Sequence, residues 1–347
     1  MELNLPRTIE WVDGKVRLIN QLLLPHELKH IETRDWRRVA DAIRKMEIRG
    51  APAIGVAAAF SLALFTQELT TADIEVAKEK LEKVAEYIRK TRPTAVNLFW
   101  AVDRVLDAAR RADSVSDLKQ AVVEEALKIW REDEETNKKI GEVGEKLIPD
   151  GGTVITVCNA GSLATSYYGT ATAPIYTSHL KGKKVSVIAM ETRPYLQGAR
   201  LTAWELSHAG IPVKVITDNS IGIVLMKERV DVALVGADRI TRKGYVANKI
   251  GTYPLALVCR EFKIPFYVVA PTSTIDASIE TGDEIVIEQR DPEEVLNIFG
   301  RRIAPEGVDA IYYAFDITPP ELITGIVTEA GILEKPFEVS ISRLGLC

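Results

Sequence analysis

In the first 130 residues, the apolar and polar positions first follow a strand-like pattern and then the spacing of helices. Residues 8–12 and 15–24 are rich in strand-forming side chains and flank Asp13-Gly14, a dipeptide favoured in tight hairpin turns. Asp35 then provides a helix N-cap, and apolar residues recur at helical spacing after it. Further helical runs cover 52–68, 73–90, 94–111 and 115–130. This pattern predicts a small, mostly helical N-terminal domain that carries a short β-sheet.

After residue 150 the pattern changes to short, nearly continuous apolar runs separated by helical segments. The runs are rich in Val and Ile and cover 153–157, 185–189, 213–217, 232–235 and 266–269. Such runs, alternating with helices at 198–208 and 251–262, are typical of a doubly wound parallel sheet that is covered on both faces. We therefore predict an α/β protein with an N-terminal domain at 1–130 and a Rossmann-like, mostly parallel sheet domain at 131–347. The acidic segment 131–147 is assigned to the second domain.

Length and charge narrow the class of protein. A chain of 347 residues exceeds the usual size of a single core, which agrees with two domains. The net charge of -5 provides no basic face for nucleic acid or anionic lipid. The longest apolar stretch, 51–65, is shorter than the roughly 20 residues that cross a bilayer. The three cysteines are far apart in sequence, as in reduced proteins. We expect a cytoplasmic protein that binds neither nucleic acid nor membrane.

Three motifs that would indicate a metal or a cofactor are weak or missing. His26-Glu27-Leu28-Lys29-His30 matches the HExxH zinc pattern in letters, but it follows Pro25 at the end of a strand-like run, whereas the motif needs a stable helix and a third ligand. The turn at 158–161 lacks GxGxxG, and the sequence contains no GxxxxGK[ST] loop. We expect no metal and no cofactor.

Polar side chains follow three of the predicted strands at their carboxyl ends, where open parallel sheets bind ligands. Cys158 follows the first strand, Glu191 and Arg193 follow the second, and Asp238 and Arg239 follow the fourth. The sequence therefore predicts that a thiol, two carboxylates and two guanidinium groups converge on one edge of the sheet.

Cys158 and Asp238 each fit a structural role as well as a chemical one. Cys158 is either a small apolar residue ending a buried strand or a reactive thiol, since a Gly-containing turn and a helix N-terminus follow it. Asp238 is either a cap or a partner of Arg239, or an acid whose pKa is raised in a partly dry cleft. Cys259 lies in an apolar helical run and is predicted to be core, and Cys347 is predicted to be frayed.

Two arginines precede helix starts in the predicted N-terminal domain. Arg49-Gly50-Ala51 opens a helix that is apolar on nearly all sides, so its first N–H groups, the small residues and the guanidinium together form a good phosphate site. Arg92 repeats this arrangement in a weaker form. The alternative for each arginine is a capping role or an ion pair.

With these residues in place, the chain resembles the methylthioribose-1-phosphate isomerase family. The resemblance spans nearly the whole chain and is specific because several long motifs occur in order. They are Arg49-Gly50-Ala51-Pro52-Ala53-Ile54-Gly55, Arg92-Pro93-Thr94-Ala95-Val96-Asn97-Leu98, Cys158-Asn159-Ala160-Gly161, Glu191-Thr192-Arg193-Pro194, Gly236-Ala237-Asp238-Arg239 and Asn248-Lys249-Ile250-Gly251-Thr252-Tyr253.

The resemblance implies an aldose-ketose isomerase that converts 5-methylthioribose 1-phosphate to 5-methylthioribulose 1-phosphate in methionine salvage, usually as a homodimer. It implies Asp238 as the proton donor and Cys158 as the second catalytic group. It also implies substrate contacts, which come from Arg49, Gly50, Ala51, Arg92, Gln197, Asn248 and Lys249.

Two relatives within the wider superfamily remain as alternatives. One is ribose-1,5-bisphosphate isomerase, and the other is the set of non-enzymatic regulatory subunits of the translation initiation exchange factor. The presence of both Cys158 and Asp238, with the Asn248-Lys249 pair, favours an enzyme. The long matches that begin at Arg49 and at Glu191 favour the methylthioribose activity over the bisphosphate one.

Overall fold

A computed structural model of the chain describes residues 3–93 and 95–345. Thr94, which begins one of the predicted helices, and Cys347, the predicted frayed end, lie outside the described residues.

The chain divides into two compact units. The first comprises Pro6–Asn137 and Ser162–Gly169, and the second comprises the residues before Pro6, Lys138–Gly161 and the chain from Thr170 onward. The division differs from the predicted boundary at 130/131 because the last helix of the first unit runs well past residue 130. The periodicity that predicted a helix at 115–130 continues through the acidic segment, and sequence alone showed no break between the two.

In the first unit an antiparallel three-stranded sheet is followed by helices. The strands are β1 (Ile9–Val12), β2 (Lys15–Ile19) and β3 (His30–Thr33), in that order in the sheet. The helices are α1 (Trp36–Arg44), α2 (Ala51–Glu68), α3 (Ile74–Arg89), α4 (Val96–Arg110) and α5 (Val115–Gly144), of which the residues after Asn137 belong to the second unit. His30 begins β3 and His26 lies in the turn before it, so no helix brings the two histidines of the HExxH-like segment to one face.

The core of this unit is built around α2. Fourteen of its 18 residues are buried, which agrees with its apolar character on all sides. At its centre the fully buried Phe60 contacts the rings of Trp11 from the sheet and Trp130 from α5, at centroid distances of 5.4 and 6.2 Å. By length and composition α2 would also cross a membrane, but most of it is buried inside the protein, as in a core helix.

A carboxylate on α5 sits in a low-dielectric environment within the first unit. Asp133 accepts hydrogen bonds from Ser166 N at 2.6 Å and from Asn137 Nδ2 at 3.2 Å. Burial raises its pKa from 3.8 to about 6, although these hydrogen bonds oppose the shift. Because the folded state holds the proton more tightly than the unfolded state does, Asp133 lowers the free energy of unfolding as pH rises from about 4 to 6.

We expect Asp133→Asn to remove this pH dependence. The full shift corresponds to about 3 kcal/mol, and because the residue keeps some solvent exposure we expect on the order of 1–2 kcal/mol. The difference in unfolding free energy between variant and wild type should shift in favour of the variant by that amount between pH 4 and pH 7, measured by urea denaturation. Glu135→Gln, at an exposed carboxylate on the same helix, is the control. A parallel pH response of the wild type and Asp133→Asn would contradict this account.

The second unit contains the remaining strands and helices. In the first half of this unit they are β4 (Thr153–Thr156), α6 (Ala173–Leu180), β5 (Ser186–Met190), α7 (Ala203–His208), β6 (Val213–Ile216), α8 (Ile221–Lys227), β7 (Val232–Val235), β8 (Arg239–Thr241), β9 (Val246–Lys249), α9 (Thr252–Glu261) and β10 (Phe266–Val269). They continue with β11 (Ile275–Asp276), α10 (Glu293–Leu296), β12 (Asn297–Ile298), β13 (Arg301–Arg302), β14 (Phe315–Thr318), β15 (Gly325–Thr328), β16 (Gly331–Leu333) and α11 (Phe337–Ser342).

Seven strands form the main sheet, in the order β16-β15-β10-β7-β4-β5-β6. All neighbours in it are parallel except β16, which pairs with β15 in the antiparallel sense. Counted from β4, the parallel strands have the spatial order 3-2-1-4-5-6, which is that of doubly wound dinucleotide-binding sheets. The predicted α/β fold, a helical N-terminal region followed by a mostly parallel sheet, is confirmed. The order reverses between β4 and β7, and the carboxyl ends of these two strands flank the crevice where such sheets bind ligands.

A second, four-stranded sheet, in the order β11-β8-β9-β14, was not predicted. It follows directly from the end of β7, and its strands are two to four residues long. Such short strands carry too few positions for an alternating pattern to stand out. This sheet nonetheless positions the segment that contains Asn248 and Lys249.

Candidate active site

Three of the strand ends that were predicted to carry polar side chains lie on neighbouring strands of the second unit. Cys158 lies just beyond β4, Thr192 just beyond β5 and Asp238 between β7 and β8. Strand β4 pairs with β5 on one side and with β7 on the other. Because neighbouring strands are about 4.8 Å apart, these three ends lie side by side at the reversal point of the sheet.

Cys158 is held in an unusual backbone conformation by hydrogen bonds on both sides. Its φ is 68°, in the left-handed region that costs a non-glycine residue on the order of 1 kcal/mol or more. Its N–H donates to Thr192 Oγ1 at 2.9 Å, and its carbonyl accepts from Thr202 Oγ1 at 2.7 Å. Thr192 itself has φ 63°. Such strained positions concentrate at functional sites because the surrounding structure must maintain them.

The buried side chain of Gln197 is a polar neighbour of the Cys158 sulfur. Gln197 Nε2 donates to Cys158 Sγ at 3.4 Å, and the residue is only 2% exposed. Its Oε1 is buried and makes no hydrogen bond within the described chain. A buried amide oxygen without a donor is costly unless a ligand supplies one. Gln197 therefore presents a vacant acceptor beside the thiol.

Gln197 is positioned by an irregular helix start. Residues Gly198–Thr202 form a π-helical turn that leads into α7. A Cβ at position 198 would overlap the carbonyl oxygen of Met190 at the end of β5, so only glycine allows this turn to approach the sheet. A π-turn of this kind is frequent at functional sites. Sequence periodicity marked 198–208 as a helix but gave no sign of its irregular first turn.

Asp238 is brought beside the Cys158 turn by a close backbone approach. A Cβ at Gly236 would lie 2.6 Å from the Cβ of Ala160, so the turn after β4 packs directly against the end of β7. Asp238 N donates to Ala247 O at 2.9 Å, which fixes the start of the second sheet. The thiol and the carboxylate thus belong to two loops in direct contact.

Asn248 and Lys249 end β9 on the same side of the unit. Both are buried, at 4% and 7% exposure, and Lys249 Nζ lies 4.5 Å from the centroid of the Phe315 ring. The loop after them turns at Gly251, whose φ is 102°. A Cβ at Gly251 would lie 3.6 Å from Val157 Cγ2, so this loop also borders the Cys158 strand.

Asp316, which sequence analysis missed, organises the loop after Lys249. Its carboxylate accepts from Gly251 N at 2.7 Å and Tyr253 N at 3.1 Å, and so caps α9. Burial raises its pKa to about 6, while these backbone donors and Lys249 oppose the shift. It lies some 65 residues from Gly251 in sequence, and no spacing rule connects the two.

Arg49, Gly50, Ala51 and Arg92 belong to the first unit. Gly50 is the N-cap of α2, has φ 92°, and would overlap the backbone of Ala164 if it carried a Cβ. A Cβ at Gly55, one turn into α2, would lie 2.9 Å from Asn97 O in the first turn of α4. The first turns of these two helices are therefore adjacent, and the segments with Arg49 and Arg92 lead into the same end of this unit.

The other predicted polar residues have mainly structural partners. Arg193 Nη2 donates to Val295 O at 2.8 Å, and Arg239 lies 3.8 Å from Asp276. Cys259 is fully buried, and burial raises the pKa of its thiol to about 12. Within residues 3–93 and 95–345, no three His, Cys, Asp or Glu side chains are grouped as metal ligands would be.

Comparison with known proteins identifies the family. The model of the initiation factor 2 subunit family matches residues 47–335, and the chain belongs to this family. Among curated relatives, it is 48% identical to the methylthioribose-1-phosphate isomerase of Desulforamulus reducens, covering 97% of this chain and 98% of that one. It is 50% identical to the 5-deoxyribose 1-phosphate isomerase of Moorella thermoacetica, covering 97% and 96%.

Solved structures give the same fold under two different names. The 5-methylthioribose 1-phosphate isomerase of Pyrococcus horikoshii OT3 matches with a TM-score of 0.93 and 45% identity, over 98% of this chain and 96% of that one. A protein from A. fulgidus described as translation initiation factor eIF-2B, subunit delta, matches with a TM-score of 0.89 and 46% identity, over 97% and 98%. The resemblance predicted from the sequence motifs is confirmed.

Proposed function

We propose that this member of the initiation factor 2 subunit family is an aldose-ketose isomerase of methionine salvage. It converts 5-methylthioribose 1-phosphate to 5-methylthioribulose 1-phosphate. The observation that carries the proposal is the arrangement at the sheet reversal point, where Cys158 accepts a hydrogen bond from a buried amide whose oxygen is vacant. A thiol, an adjoining carboxylate loop and an unused acceptor suit a polyhydroxylated substrate better than a protein partner.

The substrate dictates which groups the enzyme needs. Its anomeric oxygen carries the phosphate, so no free aldehyde forms until the ring C–O bond opens. In the proposed mechanism Asp238 donates a proton to the ring oxygen, and this oxygen becomes the C4 hydroxyl. Hydrogen then moves from C2 to C1, and the C2 hydroxyl loses its proton to become the ketone.

Cys158 is proposed to act on the hydrogen transfer between C2 and C1. It either removes the C2 proton as a base or stabilises the transition state of a direct hydride shift. The sulfur is largely buried, at 8% exposure for the residue, which would protect a hydride route from water. Gln197 Oε1 is proposed to accept a hydrogen bond from a substrate hydroxyl, which fixes the sugar carbons beside the sulfur.

The remaining substrate contacts are part of the same proposal. Asn248 and Lys249 end a strand beside the Cys158 loop, and Arg49, Gly50, Ala51 and Arg92 surround paired helix starts in the first unit, a setting that suits phosphate. We further propose that the protein acts as a homodimer in the cytoplasm and without a cofactor.

One assay tests the function. Purified protein is mixed with 5-methylthioribose 1-phosphate, or with ribose 1,5-bisphosphate, in D2O with EDTA, and the products are followed by NMR. We expect conversion of the methylthio compound to its ketose, and deuterium at C1 would indicate proton transfer as opposed to a hydride shift. Conversion of the bisphosphate alone would reassign the enzyme. Turnover of neither, with stoichiometric binding to a translation factor, would instead support the regulatory-subunit function.

A further inference from the structure

A second vacant polar group lies near the Cys158 site, on a segment that sequence analysis did not single out. Tyr312 is 4% exposed, and its hydroxyl makes no hydrogen bond of ordinary geometry to any described residue. Arg290 is close enough to lower the pKa of the phenol through a weak side-chain hydrogen bond, but it directs Nε and Nη2 at Glu288, at 3.2 and 3.3 Å. A buried phenol without a well-formed hydrogen bond in its own protein is unusual and costly.

Backbone pairing places Tyr312 on the segment that borders the substrate loop. Arg290 N donates to Tyr312 O at 3.0 Å, and Ala314 O accepts from Ile250 N at 3.1 Å. Ile250 directly follows Lys249 and precedes Gly251, the residue that approaches Val157 next to Cys158. A continuous series of contacts therefore connects the Tyr312 segment to the loop that carries the thiol.

The electrostatic environment of the phenol agrees with this location. Burial raises the pKa of Tyr312 to about 12, Arg290 lowers it through its charge and a weak hydrogen bond, and the neighbouring Glu294 and Cys158 raise it. The influence of Cys158 means that the phenol is within electrostatic reach of the sulfur. The same shift keeps the phenol protonated at any physiological pH, so that it is available as a donor.

We propose that the Tyr312 hydroxyl contacts the substrate and donates a hydrogen bond to a sugar hydroxyl near C2. This inference rests on the proposed function and assigns to it a binding residue from the far end of the chain. Gln197 would accept from the sugar while Tyr312 donates to it, and the two vacant groups together would orient the carbons that exchange hydrogen.

The variant Tyr312→Phe distinguishes a substrate contact of the hydroxyl from a structural role. Because the hydroxyl has only a weak contact with Arg290 in the free protein, Tyr312→Phe removes a poorly satisfied polar atom, and the thermal unfolding midpoint should stay close to that of the wild type. In the complex the variant leaves a substrate hydroxyl without its donor. We expect KM to rise about 10- to 100-fold while kcat changes less than about threefold, since ground state and transition state both lose the contact.

The experiment compares wild type, Tyr312→Phe and Tyr313→Phe in steady-state isomerisation of 5-methylthioribose 1-phosphate and in thermal unfolding. Tyr313 is 47% exposed and its side chain points to the opposite face of the segment, so its variant should match wild type. A wild-type KM in Tyr312→Phe would overturn the inference, as would a loss of activity accompanied by a lower unfolding midpoint. Failure of the wild type itself to turn over the substrate would count against the proposed function instead.

Discussion

Asp238→Asn is expected to lower kcat by at least about 100-fold with little effect on stability. The amide has the shape of the carboxyl group but cannot donate a proton to the ring oxygen, and general acid catalysis typically contributes 10²–10⁴-fold. Without that proton, cleavage of the ring C–O bond would have to release the ring oxygen as an alkoxide. Because the missing interaction develops in the transition state, the loss should appear in kcat and kcat/KM equally.

A nearby carboxylate provides the control for this variant. Asp276 ends β11 in the four-stranded sheet that begins just after Asp238. Its Oδ2 lies 3.8 Å from Nη1 of Arg239, the residue next to Asp238. Asp276→Asn should remove a partly exposed ion pair and leave kcat within about twofold of wild type. Steady-state kinetics and urea denaturation of both variants test the prediction. Asp238→Asn turning over at near the wild-type rate would remove Asp238 from the mechanism.

The sequence could predict the main sheet and the polar residues at its carboxyl edge because both depend on local signals. Runs such as 153–157 and 232–235 are continuous and apolar, and a cysteine or an aspartate directly after such a run must lie at a strand end. The adjacency of Cys158 and Asp238 additionally requires β4 and β7 to be neighbours, and the structure, not the sequence, shows this pairing.

Three features of the site were beyond sequence reasoning for physical reasons. Asp316 lies on β14, a four-residue strand, and Tyr312 lies on the irregular segment before it, and no periodicity marks either. The π-turn that aims Gln197 at the sulfur depends on a close approach of Gly198 to Met190, which only the folded chain reveals. A vacant buried acceptor or donor is likewise a property of the structure, because sequence does not count hydrogen bonds.

The division of roles at this site also follows from the structure. The two groups proposed to do chemistry lie in the loops directly after two adjacent parallel strands, β4 and β7. The groups proposed to bind the sugar are Gln197 and Tyr312. Gln197 is positioned by the π-helical turn before α7, and Tyr312 lies on the segment before β14. Substitutions of the first pair should therefore lower kcat, while loss of the Tyr312 hydroxyl should raise KM.

Cys158→Ser tests the other half of the chemistry and is expected to lower kcat by at least about 100-fold. Serine keeps a polar atom in nearly the same position and preserves the backbone bonds to Thr192 and Thr202. However, a hydroxyl is a far weaker base than a thiolate and less polarisable than sulfur, so both the proton-transfer and the hydride route lose their stabilising group. The variant should retain substrate binding, since the Gln197 amide and the loop of Asn248 and Lys249 are unchanged.

The second buried cysteine of this unit makes the comparison specific. Cys259 lies on α9 in an apolar core, and burial raises the pKa of its thiol to about 12, so it stays protonated and inert. Cys259→Ser should lower the free energy of unfolding by about 1–3 kcal/mol, because it buries a hydroxyl in an apolar site, yet leave kcat unchanged. We therefore expect opposite signatures, with activity lost and stability kept in Cys158→Ser and the reverse in Cys259→Ser. Equal kcat values for Cys158→Ser and wild type would show that the thiol takes no part in hydrogen transfer, and the catalytic group would then have to be sought among the other residues of the β4 and β7 loops.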